Sequence, residues 1–365
     1  MTGNVKNLYA CGNTARGSFS FYESVLEGLD RLFILKGGPG TGKSTVIKKI
    51  GDEMAERGHD ILFIHCPSQN GAVDGLIIEN LKTAIVDGTA QGFTEPKSQV
   101  EKIYLNLSGA VDTYKLEAYQ QEISQLNEQI ATLYQQATDS FHDALLVHDE
   151  WEKIYISNMD FNKANEVTEE VIDLFFATNT LKKQSKIRHS YFGAATPNGA
   201  VDYIQNLTED IQKRYFVKGR PGSGKSTMLK RLVSAADQRG FDVQVYHCGF
   251  DPNSLDMVLL PELSVAIFDS TAPHEYFPDR PTDEILDMYE RTITAGTDEQ
   301  YEQELKEIKG RYSAKMKEAT AYLKQVEETH AELIKSYISA VDFSEVEKVK
   351  DEIQAQLNKI AQTTR

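Results

Sequence analysis

The chain has 365 residues, 40% hydrophobic and 26% charged, a balance that suits about two globular domains and excludes a disordered or collagen-like polymer. A formal net charge of -16 disfavours nucleic acid and anionic membrane surfaces as partners, since both are bound through basic residues. Three cysteines (Cys11, Cys66, Cys248) make no disulfide framework, Met1 to Ala10 carries no apolar signal core, and no run of roughly eighteen apolar residues occurs, so a cytoplasmic location is expected.

In chain order, a short apolar run, Leu8 to Cys11, is followed by a helix-like segment with Phe21, Val25, Leu26 and Leu29. A β-rich run, Leu32 to Leu35, then enters Lys36-Gly-Gly-Pro-Gly-Thr-Gly-Lys-Ser-Thr45. This is a complete Walker A loop, comprising Gly37, Gly38, Pro39, Gly40, Thr41, Gly42, Lys43, Ser44 and Thr45. Its glycines let successive backbone N–H groups converge on a phosphate, and the next helix aims its positive end at the same anion. That helix runs to Arg57, with Gly58 as its C-cap. Further strands are expected at Ile61 to His65 and at Thr83 to Val86, separated by a polar loop containing Asp74. Asp87 ends the last of these in Walker B fashion. Apolar strands alternating with helices predict a parallel sheet covered on both faces.

Beyond the core, Leu116, Tyr119, Ile123, Leu126, Ile130, Leu133 and Ala137 fall at alternating spacings of three and four, and the pattern continues through Phe141, Leu145, His148 and Tyr155. This is a coiled-coil seam on a helix about 60 Å long. Asp160 is the expected N-cap of a shorter return helix, from about Asn162 to Leu181. Each long helix and its return helix are expected to form a hairpin arm, with the two arms pairing within one chain.

The whole pattern recurs at a constant offset of 182 residues. Lys218 precedes a second Walker A loop of Gly219, Arg220, Pro221, Gly222, Ser223, Gly224, Lys225, Ser226 and Thr227. Arg239-Gly240, His247-Cys248 and Asp269 match Arg57-Gly58, His65-Cys66 and Asp87. The apolar positions Tyr301, Leu305, Ile308, Tyr312, Met316, Ala319, Leu323, Val326 and Tyr337 repeat the seam, and Asp342 matches Asp160. One offset held from end to end means duplication of the unit. The expected domains are 1–182, with a core to about 111 and an arm from about 112, and 183–365, with a core to about 293 and an arm from about 294. The fold class is α/β, with two P-loop NTPase cores, each carrying a long helical arm.

The expected catalytic groups are Lys43 and Lys225, which neutralise the β- and γ-phosphates, with Asp87 and Asp269. Ser44, Asp87, Ser226 and Asp269 are the expected ligands of Mg²⁺. Arg220, peculiar to the second loop, can contact phosphate; Lys36 and Lys218 read as solvated strand-end lysines. Asp74 and Asp256 are either general bases or turn formers, and the His-Cys pairs are packing groups, γ-phosphate neighbours or metal ligands. No glutamate follows either strand-end aspartate, and Asn162-Lys163-Ala164-Asn165 fails as a guanine signature, which favours ATP.

These loops and strand-end acids identify the chain as a member of the P-loop NTPase superfamily. Its duplicated Lys-Gly-x-Pro-Gly-x-Gly-Lys-Ser-Thr loop and Ala-Ile-x-Asp-x-Thr-Ala strand resemble a bacterial family of tandem P-loop ATPases. That family's Ala-Pro-His sequence is matched by Ala272-Pro273-His274, whereas the first half has Ala90-Gln91-Gly92. The resemblance implies ATP binding, and a family alone carries no substrate. The expected activity is Mg-ATP hydrolysis coupled to arm movement, with a protein partner as one reader of the arms. The alternatives are a small-molecule or nucleotide kinase and a non-catalytic nucleotide-gated scaffold.

Overall fold

A computed structural model describes residues 2–363. The first sheet contains β1 (Val5–Leu8), β4 (Arg31–Lys36), β5 (Ile61–His65), β6 (Val73–Ile78), β7 (Thr83–Asp87) and β8 (Glu101–Asn106), in the order β1-β5-β6-β7-β4-β8. A small hairpin, β2 (Cys11–Thr14) with β3 (Gly17–Ser20), stands apart from it. The second half repeats the plan with β9 (Ile187–Ser190), β12 (Lys213–Lys218), β13 (Val243–His247), β14 (Leu255–Leu260), β15 (Val265–Asp269) and β16 (Glu284–Asp287), in the order β9-β13-β14-β15-β12-β16. Its hairpin is β10 (Gly193–Thr196) with β11 (Gly199–Asp202).

The sheets are mixed rather than parallel, which corrects the sequence expectation. β6 runs antiparallel to β5 and β7, and β14 runs antiparallel to β13 and β15. The segment expected to be a polar loop is therefore a buried strand, Val73 through Ile78. Seven residues link β5 to β6, enough for a hairpin but too few for the crossover a parallel neighbour needs. The loop-bearing strands β4 and β12 do have parallel neighbours on both sides.

The long helices, Gln120–Ser157 and Glu302–Ile338, are present, and each is followed by a return helix, Phe161–Phe176 or Phe343–Thr363. Asp160 caps its helix by accepting from the Asn162 and Lys163 amides. The expected hairpins do not form. Instead, the first return helix buries Val167, Val171, Ile172, Phe175 and Phe176 in the second core, beside Leu229, Leu232 and Phe241. The second return helix buries Val346, Ile353, Leu357 and Ile360 in the first core, beside Ile47, Ile50 and Met54. Each core is thus completed by the other half's C-terminal helix. Like cores present like grooves, so an exchanged helix satisfies its apolar face as well as a helix that folds back.

The long helices cover each other's seams in antiparallel fashion. Leu126, Ile130 and Leu133 meet Val326 and Leu333; farther along, Ile154 and Tyr155 meet Leu305 and Ile308. Arg311 pairs with Glu150 at 2.7 Å and Lys315 with Asp143 at 3.0 Å. Ala137 and Ala319, equivalent under the offset, are both buried at the middle of the crossing. Tyr9 and Tyr191, another equivalent pair, exchange backbone hydrogen bonds at 2.9 and 3.0 Å. Such reciprocal contacts between equivalent positions are the mark of twofold-like packing. None of the helices is long and apolar enough to cross a membrane among the described residues.

Candidate nucleotide-binding sites

Each loop leaves the end of its central strand and runs straight into a helix, Lys43–Glu56 or Lys225–Gln238. The turn needs left-handed backbone at Gly40 (φ 70°) and Gly42 (φ 84°), and at Gly222 (φ 75°) and Gly224 (φ 86°), which only glycine adopts without strain. Thr41 Oγ1 tightens the first loop by donating to the Gly38 carbonyl at 2.8 Å. Thr45 and Thr227 are exposed in the first helical turn.

Lys43 and Lys225 are buried. Lys43 Nζ donates to the Gly37 and Gly38 carbonyls at 2.8 and 2.9 Å and lies 3.6 Å from Asp87 Oδ2. Lys225 Nζ donates to the Arg220 carbonyl at 3.0 Å and lies 3.5 Å from Asp269 Oδ2. Burial holds the Lys43 ammonium below its ordinary pKa, against the opposing pull of Asp87. Asp87 and Asp269 sit at the tips of β7 and β15, each accepting from the backbone and hydroxyl of a threonine two residues on. Ser44 Oγ accepts from the Val73 amide, and Ser226 Oγ from the Leu255 amide, both at 2.9 Å. A hydroxyl and a carboxylate, both hard oxygen donors, thus stand beside each loop lysine, a set that fits Mg²⁺.

Asp74 and Asp256, the residues after those amides, are strand residues, not turn formers. Burial, reinforced by Asp87, raises the Asp74 carboxyl to about 7; burial with Asp269 raises Asp256 to about 6. Asp74 Oδ2 is buried with no hydrogen-bond partner. Burial also drives the Cys66 and Cys248 thiols well up. His65 Nε2 donates to Asn7 Oδ1 at 2.8 Å, and the ring packs on Tyr203 at 4.6 Å. Its equivalent His247 bonds His189 at 2.8 Å and stacks on Phe21 at 4.2 Å.

The exchanged helices reach the loops. A Cβ on Gly222 would come within 2.6 Å of the Glu152 carbonyl oxygen, and one on Gly40 within 3.3 Å of Ile334 Cγ2. Glu152 and Ile334 are equivalent positions, so each loop is roofed by the end of the other half's long helix. Sequence periodicity located these helix ends without showing which loop they cover. Arg220 is engaged by Asp298 at 2.8 Å and lies over Tyr289, so its guanidinium reaches a phosphate only if that pair parts. Lys36 is a half-buried strand-end lysine, 3.8 Å from Glu95. Lys218 is not the solvated lysine expected: its Nζ donates to the Ser270 and Tyr276 carbonyls at 2.7 and 2.8 Å, clamping the segment after β15.

A glycine-rich loop between a central strand and a helix, with its lysine facing a strand-tip aspartate, defines a nucleotide-binding protein of the P-loop NTPase superfamily, to which this chain belongs. Residues 25–187 match the model of the KAP family P-loop domain, a span that takes in the first loop, Asp87 and the first return helix. No curated protein and no solved structure matched the chain.

Proposed function

We propose that the protein is a duplicated P-loop ATPase that binds Mg-ATP at both loops and couples its hydrolysis to movement of the paired long helices. The observation that carries this reading is the recurrence, in both halves, of a buried loop lysine within 3.6 or 3.5 Å of a strand-tip carboxylate. The loop amides and the lysine would bind the phosphates and stabilise charge on the transferring group. Mg²⁺ would be held by Ser44 with Asp87 and by Ser226 with Asp269; it would supply further charge neutralisation.

Coupling follows from the roofed loops. Lys43 presently donates to its own loop carbonyls, bonds that must be exchanged for phosphate contacts when nucleotide enters. Ile334, Tyr337 and Phe343 lie against the same loop, so that rearrangement pushes on the junction between the long and return helices. Because this junction belongs to the other half, binding at one loop acts on both halves at once. Phosphate release from ATP, followed with and without Mg²⁺, tests the reading. Metal-dependent release supports it; transfer only to an added small-molecule acceptor would establish the kinase alternative.

A further inference from the structure

The two halves also differ in the segment that follows the strand-tip aspartate. In the second half, His274 Nδ1 lies 2.8 Å from Asp202 Oδ2, and Tyr276 donates its hydroxyl to Asp202 Oδ1 at 2.9 Å. The Ile204 amide also donates to Oδ1, at 3.2 Å. Both members of the His–Asp pair are largely shielded, at 14% and 11% side-chain exposure. A carboxylate only accepts, so Nδ1 carries a proton, and in the neutral imidazole Nε2 is then the accepting nitrogen. No protein partner takes up Nε2 among the described residues. The Phe192 ring packs against the imidazole at 5.2 Å and 88°, which fixes its plane.

The pair is tied to the nucleotide site by a short covalent and hydrogen-bonded path. Asp269 holds Thr271 through two bonds, and the His274 amide donates to the Thr271 carbonyl at 2.9 Å. Lys218, at the entry to the loop, clamps Ser270 and Tyr276 on either side.

The first half lacks the whole arrangement. The equivalents of His274, Asp202 and Tyr276 are Gly92, Ser20 and Thr94. Nor is there room to restore it. Gly92 has φ 70°, and a Cβ there would come within 2.6 Å of Cys11 Sγ and 3.1 Å of Ser20 Cβ. Gln91 fills the place between Ser68, at 2.5 Å, and Asn13, at 3.0 Å. An imidazole and its carboxylate present in one half, and in the other absent with the space filled, separate the sites by chemistry and not by fold.

Building on the ATPase reading above, we propose that His274, positioned by Asp202, is the proton acceptor for water attack at the second loop, and that the first loop binds nucleotide without hydrolysing it. The water oxygen bonds to the γ-phosphorus as its proton passes to His274 Nε2. The bond from the γ-phosphorus to the β,γ-bridging oxygen breaks, and its electron pair leaves with ADP beside Lys225. The imidazolium then returns its proton to the phosphate product. Asp202 is a positioning residue that fixes the acceptor tautomer.

The test uses the full chain with His274→Asn, His274→Ala and Asp202→Asn, checked for native melting. Phosphate release and binding of a nonhydrolysable ATP analogue are measured on each. Loss of a general base costs roughly 10²–10⁴-fold. Turnover in His274→Asn should therefore fall at least roughly 100-fold, with analogue stoichiometry and affinity unchanged. Asp202→Asn should lower kcat without raising KM, and added imidazole should restore part of the rate in His274→Ala. Retention of about half the wild-type rate in His274→Asn would mean that the first loop also hydrolyses, and full retention would remove His274 from the chemistry; either overturns the proposal. Full retention in His274→Asn would overturn this inference alone and leave the ATPase reading standing, whereas wild-type protein that binds the analogue but never hydrolyses ATP would overturn both, and absence of binding would overturn the nucleotide reading itself.

Discussion

Replacing Asp74 by Asn removes a charge that the fold holds at a cost. The carboxyl is buried, its Oδ2 has no hydrogen-bond partner, and burial with Asp87 nearby lifts it from 3.8 to about 7. The unfolded chain releases this proton near 3.8 and the folded chain near 7, so between those values the folded state holds more protons. Stability contributed by the neutral carboxyl is therefore full below about 4, falls as pH rises through the window, and is gone above 7. At 1.36 kcal/mol per pKa unit, the loss is at most about 4 kcal/mol. Asparagine keeps the shape without the titration. The variant should match the wild type near pH 3 and exceed it by about 1–4 kcal/mol at pH 8. Urea unfolding of nucleotide-free protein at the two pH values measures the difference. A gap between variant and wild type that is the same at both pH values would refute a buried, reluctantly ionised Asp74.

Phe176→Ala should destabilise the second core by about 3–5 kcal/mol, because a fully buried ring beside Phe241 leaves a cavity. Near-native urea midpoints would mean that the first return helix does not dock there. Asp87→Asn with Asp269→Asn should abolish metal-dependent phosphate release while leaving the melting transition in place; unchanged release would remove both from the metal site. Cysteines at Asp143 and Lys315, in a background without native cysteines, should be joined within one chain by a short bis-maleimide, since the native side chains meet tip to tip at 3.0 Å. Cysteines at the equivalent positions Gln129 and Arg311 should not, because Arg311 faces Glu150, about 30 Å along the helix from Gln129. The reverse outcome would make the long helices parallel.

What the sequence disclosed was local. The Walker loops, the strand-tip aspartates and the helix seams each occupy consecutive or periodic positions, and their chemistry demands those residue types. β6 was missed because Asp74 and Gly75 interrupt a run that otherwise reads as apolar. Asp74 is an expensive residue to bury, and such residues suggest a loop until the neighbouring site explains them. The helix exchange left no local trace. Val171 and Phe176 define the same amphipathic face whether they dock on their own core or on its near copy, and only the three-dimensional path decides. His274 could be singled out by its mismatch with Gly92, but Asp202 lies 72 residues away and becomes its partner only when β11 folds beside the segment after β15.

The central claim is that one chain carries two nucleotide sites, and titration calorimetry with a nonhydrolysable ATP analogue and Mg²⁺ tests it most directly. The account predicts a stoichiometry near two for the wild type, falling to one in Lys43→Ala or Lys225→Ala and to zero in the double variant. A wild-type value near one, unaffected by one of the two single substitutions, would contradict it.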